Sequence, residues 1–447
     1  MTVLSSRRNT FVGGVRGFTL VELMVAITLG ILVSIGLVTL FGATSKANRV
    51  QEALAQLQEN GRYASNRVTY DLRLESRQLM NDSGFMGNGP GTNGAVNPVL
   101  APQVYATTIP FPDGNVVKPP TWSATMAWWP LSPRYFMQGY DCSSSCTVPT
   151  AVAPADGTPA DGQRVKKSDV LLVRYMKTHG WSSYNGEVTT TCSGPILTNI
   201  VLTPVTGAPT NSPASNFQAG DLAMLTYSNG AAYIFPVGVA GTTLTPSGTS
   251  AGNVGGCSNS GNGPEVTVFN FSRDFITATY WLALKTDPNK TTRLIPTLMR
   301  TESDNKGNST TAELVQGAEQ LDFIYGVQGS DGKNRYMTAD QVQASTLVTC
   351  PLPPQQYTLF IPNTMEADGC LWRAVKTIEV HVLLDSVNDM FDLTNDEMAY
   401  LYNAGNTTTY TYPGDVAPPA LQVGGISFGH MMRREFVSLV SIRNFNP

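Results

Sequence analysis

FTLVELMVAITLGILVSIGLVTLF (18–41) is the stretch that sets the architecture. It runs for 24 residues with Glu22 as its only charge, and about 20 apolar residues suffice to cross a bilayer as a helix. Before it, MTVLSSRRNTFVGGVRG (1–17) carries Arg7, Arg8 and Arg16 and no acid. Positive charge ahead of a span holds that end in the cytoplasm and sends the rest outward. A secretory signal would end in a small-residue cleavage site after the apolar run; here the distinctive residues, Arg16-Gly17-Phe18-Thr19, come before it. A carboxylate inside an apolar helix costs a few kcal/mol and normally has a partner. Glu22 has no basic residue in its own span, so its expected partner is an amine from outside.

Downstream, no proline occurs until Pro90, so the helix is predicted to continue to about Asn81. Val50, Leu54, Leu57, Gly61, Ala64, Val68 and Leu72 are spaced by fours and threes, which draws one stripe along a helix. Asn81-Asp82-Ser83-Gly84 supplies a stop. At 1.5 Å per residue the helix would be about 96 Å long. The expected organisation is a leader (1–17), a long helix (18–82; 18–41 apolar, 42–82 amphipathic) and a β-rich head (83–447). Gly30, Gly36 and Gly42 are its expected weak points.

The whole chain has 447 residues, 14% charged, with a net charge of −4. This lacks the basic excess of a nucleic-acid binder, so no nucleic-acid partner is expected. Hydrophobic content of 42% is ample for a core, and Gly 41 with Pro 29 indicate many turns. Six cysteines, Cys142, Cys146, Cys192, Cys257, Cys350 and Cys370, all follow the apolar span in polar, turn-rich stretches. In an extracytoplasmic compartment they read as disulfides. Fifteen pairings are open; proximity favours Cys142–Cys146, Cys192–Cys257 and Cys350–Cys370. Cys142 and Cys146 have the spacing of half a zinc site, but no second pair or nearby histidine completes it. No metal and no cofactor are expected.

Strands are expected at 168–175, 221–227 with 231–239 as a hairpin, 266–271, 278–284, 321–327, 374–384 and 435–442. In 375–384, Ile378, Val380, Val382 and Leu384 belong to the set that faces inward. Thr310-Thr311-Ala312-Glu313 reads as a capping box opening a short helix to about Ala318. Residues 83–165 read as a loop-rich insertion, with Trp122, Trp128 and Trp129 as a small satellite core. Gly425-Ile426-Ser427-Phe428-Gly429 fits the nucleophile-elbow pattern, but only 20 residues follow Ser427 and Glu435 is the sole acid among them. The chemistry needs an acid and then a histidine downstream, so this is read as a turn. His179, His381 and His430 show no ligand spacing. No enzyme is expected.

Arg16-Gly17-Phe18-Thr19-Leu20-Val21-Glu22 resembles the G-F-T-L-x-E processing motif of type IV pilins and type II secretion pseudopilins. The resemblance implies the type IV pilin fold (α+β), cleavage by a prepilin peptidase between Gly17 and Phe18, N-methylation of Phe18, and a helix loosened near its glycines. It further implies that Glu22 pairs with the terminal amine of an adjacent subunit during assembly. SDVLLVRY (168–175), GDLAMLTYSNGAAYIFPV (220–237), ELVQGAEQLDFIYGV (313–327), WRAVKTIEVHVLLDS (372–386) and RREFVSLVSIRN (433–444) resemble, in order, blocks of the PilW-type minor pilins. The family's acidic run after Tyr-Gly-Val is replaced here by Gln328-Gly329-Ser330-Asp331-Gly332-Lys333, with a single carboxylate.

The implied function is that of a minor pilin that helps initiate type IV pilus assembly and sits at or near the tip. Its implied partners are prepilin peptidase, other minor pilins, the major pilin, a large pilus-tip adhesin and the inner membrane. It would first be a single-pass inner-membrane protein with a periplasmic head, then part of the extracellular pilus. A J-type pseudopilin of type II secretion and a tip adhesin-like binding module are the alternatives.

Overall fold

The computed structural model describes residues 17–74, 102–119, 128–131, 135–142, 147–206, 217–228, 232–248, 254, 265–329, 331–345, 369–390, 393–402, 404, 410–411 and 430–442. One helix, Leu20–Leu74, is continuous through Gly30, Gly36 and Gly42, so the loosening that the pilin resemblance implied does not occur. Each glycine costs about 1 kcal/mol relative to alanine in a helix; the long apolar runs between them carry the element through. The expected stop at 81–84 lies outside the described residues.

The chain divides into two compact units, 1–55 and 56–447. In the first, the described part is helix, and from Phe18 to Phe41 its large apolar side chains are exposed.

The second unit is a β-rich body. A five-stranded antiparallel sheet runs in the order Ser309–Gln316, Lys290–Ser303, Phe275–Asp287, Val170–Met176, Met137–Tyr140. A four-stranded antiparallel sheet runs Asn334–Met337, Ala318–Gln328, Val375–Asp385, Arg433–Ser441. Leu57, Ala64, Val68 and Leu72 from the helix join the main core with Leu171, Leu282, Leu298, Phe323, Val382 and Val440 from the two sheets. That core makes the helix from Leu57 to Leu72 part of the β-rich body.

A nine-stranded sheet holds the hairpin Leu222–Tyr227 and Ala232–Ala240. It packs its own core around Phe235, Leu225 and Ile200. Its one parallel pair joins Gln103–Val104 to Ala232–Ala240.

Most expected strands are present, several of them longer than expected: 278–284 is the middle of the 13-residue Phe275–Asp287 strand. The expected helix at 310–318 is not formed. Ser309–Gln316 is an exposed edge strand, paired with Lys290–Ser303 from Ser303↔Ser309 to Thr297↔Gln316. Thr310 and Thr311 suit a strand better than a helix because both branch at Cβ. The region 83–165, expected to be loop-rich, contains short strands at Gln103–Val104, Ile109–Pro110, Val116–Val117, Trp129–Pro130 and Met137–Tyr140. Trp129 is buried with Phe271 and Phe275, and its Nε1 donates to the Ala106 carbonyl at 2.8 Å. Trp128 packs against the other core of the nine-stranded sheet, and Trp122 lies outside the described residues.

Candidate functional site

The N-terminal helix opens on Thr19. Its hydroxyl accepts from the Glu22 amide at 3.3 Å, and Glu22 Oε2 accepts from both the amide and the hydroxyl of Thr19 at 3.0 Å. This is a reciprocal capping box, which satisfies backbone donors that the first turn leaves open. The Glu22 carboxylate is thus held back toward the helix N-terminus by the uncharged Thr19, a local partner in addition to the amine expected from outside the span. Gly17 and Phe18 lie just ahead of this turn, and Phe18 is 86% exposed.

Along the exposed apolar segment the hydroxyls turn inward on the helix. Thr28 donates to the Val25 carbonyl, Ser34 to Gly30, Thr39 to Gly36 and Thr44 to Leu40, at 2.7–2.9 Å. Each polar group is thus satisfied without a partner from outside, as apolar surroundings require. The helix is long and apolar enough to cross a membrane, with an 18-residue window of mean hydropathy 2.5. An apolar face on all sides of a helix needs lipid or other helices around it.

Within the second unit the helix is fixed by a buried polar network around Asp71. Its carboxylate accepts from Arg300 Nε and from the Tyr280 hydroxyl, both at 2.7 Å, and from the Tyr175 hydroxyl at 3.0 Å. Arg300 continues to the Tyr175 hydroxyl at 3.0 Å and to Glu302 at 2.9 Å, and Lys177 also reaches Glu302. Burial, and after it the Asp71 charge, push both phenols well above their ordinary range. Burial works against a charged Arg300, but Asp71 outweighs it and holds the guanidinium above its ordinary value. Ten residues earlier the helix narrows: a Cβ on Gly61 would lie 2.3 Å from the Phe436 ring. The inward stripe was legible as apolar spacing. Asp71 was missed, since a lone carboxylate beside Leu72 carries no local sign that its partners come from three distant strands.

The other expected site residues are scattered. Cys142 and Cys192 are each in a disulfide, and no free cysteine occurs among the described residues. Cys146, Cys257 and Cys350 lie outside those residues, and Cys370 opens a short 3-10 turn. The stretch 425–429 is also outside them. His179 is exposed, His430 is half-buried, and His381 is buried against Glu435. No cluster of three or more potential metal ligands occurs among the described residues. Asp331, the one acid left in the 328–333 turn, is occupied by Arg335 at 2.7 and 3.0 Å.

Residues 280–444 match the family model described as Type IV Pilus-assembly protein W, PilW. The match spans the strand that carries the Asp71 partner Arg300, its neighbour Ser309–Gln316, part of its other neighbour Phe275–Asp287, and the whole four-stranded sheet. No curated protein and no solved structure matches the chain.

Proposed function

We propose, from a chain whose residues 280–444 match the PilW family of type IV pilus assembly, that this protein is a minor pilin. The observation that carries the reading is one continuous helix that is bare and apolar at its start and part of the head's core at its end. The first part supplies a membrane anchor and then a filament contact; the second fixes the head to it.

In this reading residues 1–17 are a leader removed by prepilin peptidase, leaving Phe18 as an N-methylated terminus. Residues 18–82 are the helix, and 83–447 form the head. Glu22, held at the helix start by Thr19, receives the terminal amine of a neighbouring subunit. The protein begins as a single-pass inner-membrane protein and enters the pilus with other minor pilins, with the major pilin added beneath them. A head of about 365 residues has a radius of gyration near 21 Å by compact-domain scaling. Such bulk is best tolerated at the tip, where no subunit lies ahead of it.

Deletion of the gene is expected to reduce surface pili sharply and to leave the major pilin pool in the membrane. Immunogold labelling should decorate filament ends. Even labelling along the shaft would rule out the tip placement, and normal piliation in the deletion strain would rule out the initiating role.

A further inference from the structure

The outer face of the four-stranded sheet is partly covered by the segment 393–402, in which Leu393, Met398, Tyr400 and Tyr402 are buried. Tyr400 and Tyr402 pack on Leu383. The polar floor beneath them is unusual. Asp322, His381 and Val437 stand directly opposite one another across three adjacent strands. The Tyr402 hydroxyl donates to Asp322 Oδ2, and both side chains are buried. His381 Nδ1 meets Glu435 Oε1 at 2.7 Å. Its Nε2 is buried without a hydrogen bond, 3.6 Å from Glu379 Oε2. The His381 ring meets the Tyr402 ring edge-on at 6.4 Å.

We infer that segment 393–402 is an acid-locked strap, held by Tyr402 on Asp322 and by a protonated His381 between Glu435 and Glu379, that loosens as the pH rises.

The charged groups around the imidazole come from every strand packed against it. They are Asp322 from Ala318–Gln328, Glu379 from its own strand, and Glu435 from Arg433–Ser441. Asp141 adds negative charge near Asp322, and Asp169 near Tyr402. Arg433 is committed to Glu319 at 2.8 and 3.1 Å and lies over the Tyr400 ring. His381 is thus the group whose proton balances this surface near neutral pH. Once it is neutral, Glu379, Glu435 and the buried Asp322 remain as like charges around it, and their repulsion is weakened less by solvent the deeper they lie.

Both titrations act in the same direction. Burial pushes the Asp322 carboxyl up to about 6, against the lowering effects of Tyr402 and His381. Burial disfavours a charged His381, but Glu435, Glu379 and Asp322 outweigh it and hold the imidazole above its ordinary 6.5. A group whose folded pKa is raised contributes stability that is present below its unfolded value and lost as pH rises through the folded one. The Asp322 contribution is therefore lost from about pH 4 to about pH 6 and that of His381 above its ordinary 6.5, so the strap is tighter in acid and loosens progressively through neutrality. Loosening would uncover Leu383 beside the already exposed Val437 and Leu439.

The test is hydrogen–deuterium exchange of the full-length protein in detergent at about pH 5 and about pH 8, corrected for intrinsic rates. Asp322, raised to about 6, loses about one pH unit of this linkage above pH 5, a factor of about ten, so protection of 400–402 should fall at least about tenfold toward pH 8. Protection of the Phe275–Asp287 strand, in the other sheet, should stay constant. Asp322→Asn and His381→Gln together should flatten the pH response, and Tyr402→Phe should lower protection of the strap at both values. Equal protection at the two pH values, a parallel loss in the control strand, or a full pH response in the double variant would each overturn the inference. If a variant loses protection of the control strand, the wild-type comparison decides alone.

Discussion

Asp71 and Arg300, 229 positions apart, form a buried ion pair with Nε 2.7 Å from Oδ2, and this pair ties the helix to the β body. Tyr280 and Tyr175 hydrogen-bond the same carboxylate, and Arg67 lies 3.5 Å from its Oδ1. Removing one partner of such a pair costs about 3–5 kcal/mol when the other charge is left uncompensated; Arg300 keeps Glu302 at 2.9 Å, which puts the cost at the low end. Asp71→Asn should therefore destabilise the head by about 3 kcal/mol. Tyr280→Phe, which removes one hydrogen bond and leaves the ion pair, should cost about 1 kcal/mol. Denaturant unfolding in detergent measures both; equal effects would mean that the ion pair adds nothing beyond hydrogen bonding.

Gly61 is expected to be intolerant of branching. Its missing Cβ is the space occupied by the Phe436 ring, and overpacking of this kind costs about 1–3 kcal/mol. Gly61→Val should fall in that range, and Phe436→Ala should recover part of the loss. A double-mutant cycle reads the coupling directly; strict additivity would show that the two residues do not contend for the same space.

How much of this was legible before the fold was known depends on the range of the signal. The helix and its inward stripe are local: of the positions at helical spacing Leu57, Gly61, Ala64, Val68 and Leu72 are buried, whereas Val50 and Leu54 are half-buried. The inward set in 375–384 reads nearly as well, with Ile378, Val380, Val382 and Leu384 buried. On the opposite side His381 and Leu383 are buried too, because 400–402 covers them, and alternation cannot reveal a second layer. Thr310-Thr311-Ala312-Glu313 shows the reverse failure. A local capping pattern was present, and pairing with a strand six to nineteen positions upstream overrode it. The Lys290–Ser303 strand was missed because Pro296 interrupts it; in the sheet Pro296 pairs with Leu284, and its carbonyl accepts from Gly317. For Glu22 the expected partner is an amine from outside its span; the local bond from Thr19, three residues earlier, is one that a search for opposite charge does not find.

The Thr19–Glu22 box gives a prediction for assembly. Glu22→Val removes the carboxylate that would meet a neighbour's amine, while residues 56–447 keep every contact described for them. The variant should be cleaved normally and enter pili poorly. Normal incorporation would remove the assembly role assigned to Glu22.

The cysteines should all be oxidised in the native protein. Cys142 and Cys192 are half-cystines, and the proposed pairs are Cys142–Cys146, Cys192–Cys257 and Cys350–Cys370. A disulfide closing a loop of about 15 residues contributes roughly 3 kcal/mol in the chain-entropy model, and Cys350–Cys370 is near that size. Alkylation without reduction should label none of the six. Stoichiometric labelling of three or more would contradict this, and peptide mapping of the oxidised protein decides the pairing.

The central claim is that this chain is processed as a prepilin and built into a filament. Mass spectrometry of sheared, purified pili addresses both halves at once. The account predicts a mature subunit that begins at N-methylated Phe18, in low abundance beside the major pilin. A mature protein beginning at Met1, or one that remains in the membrane and is absent from intact pili, would contradict it.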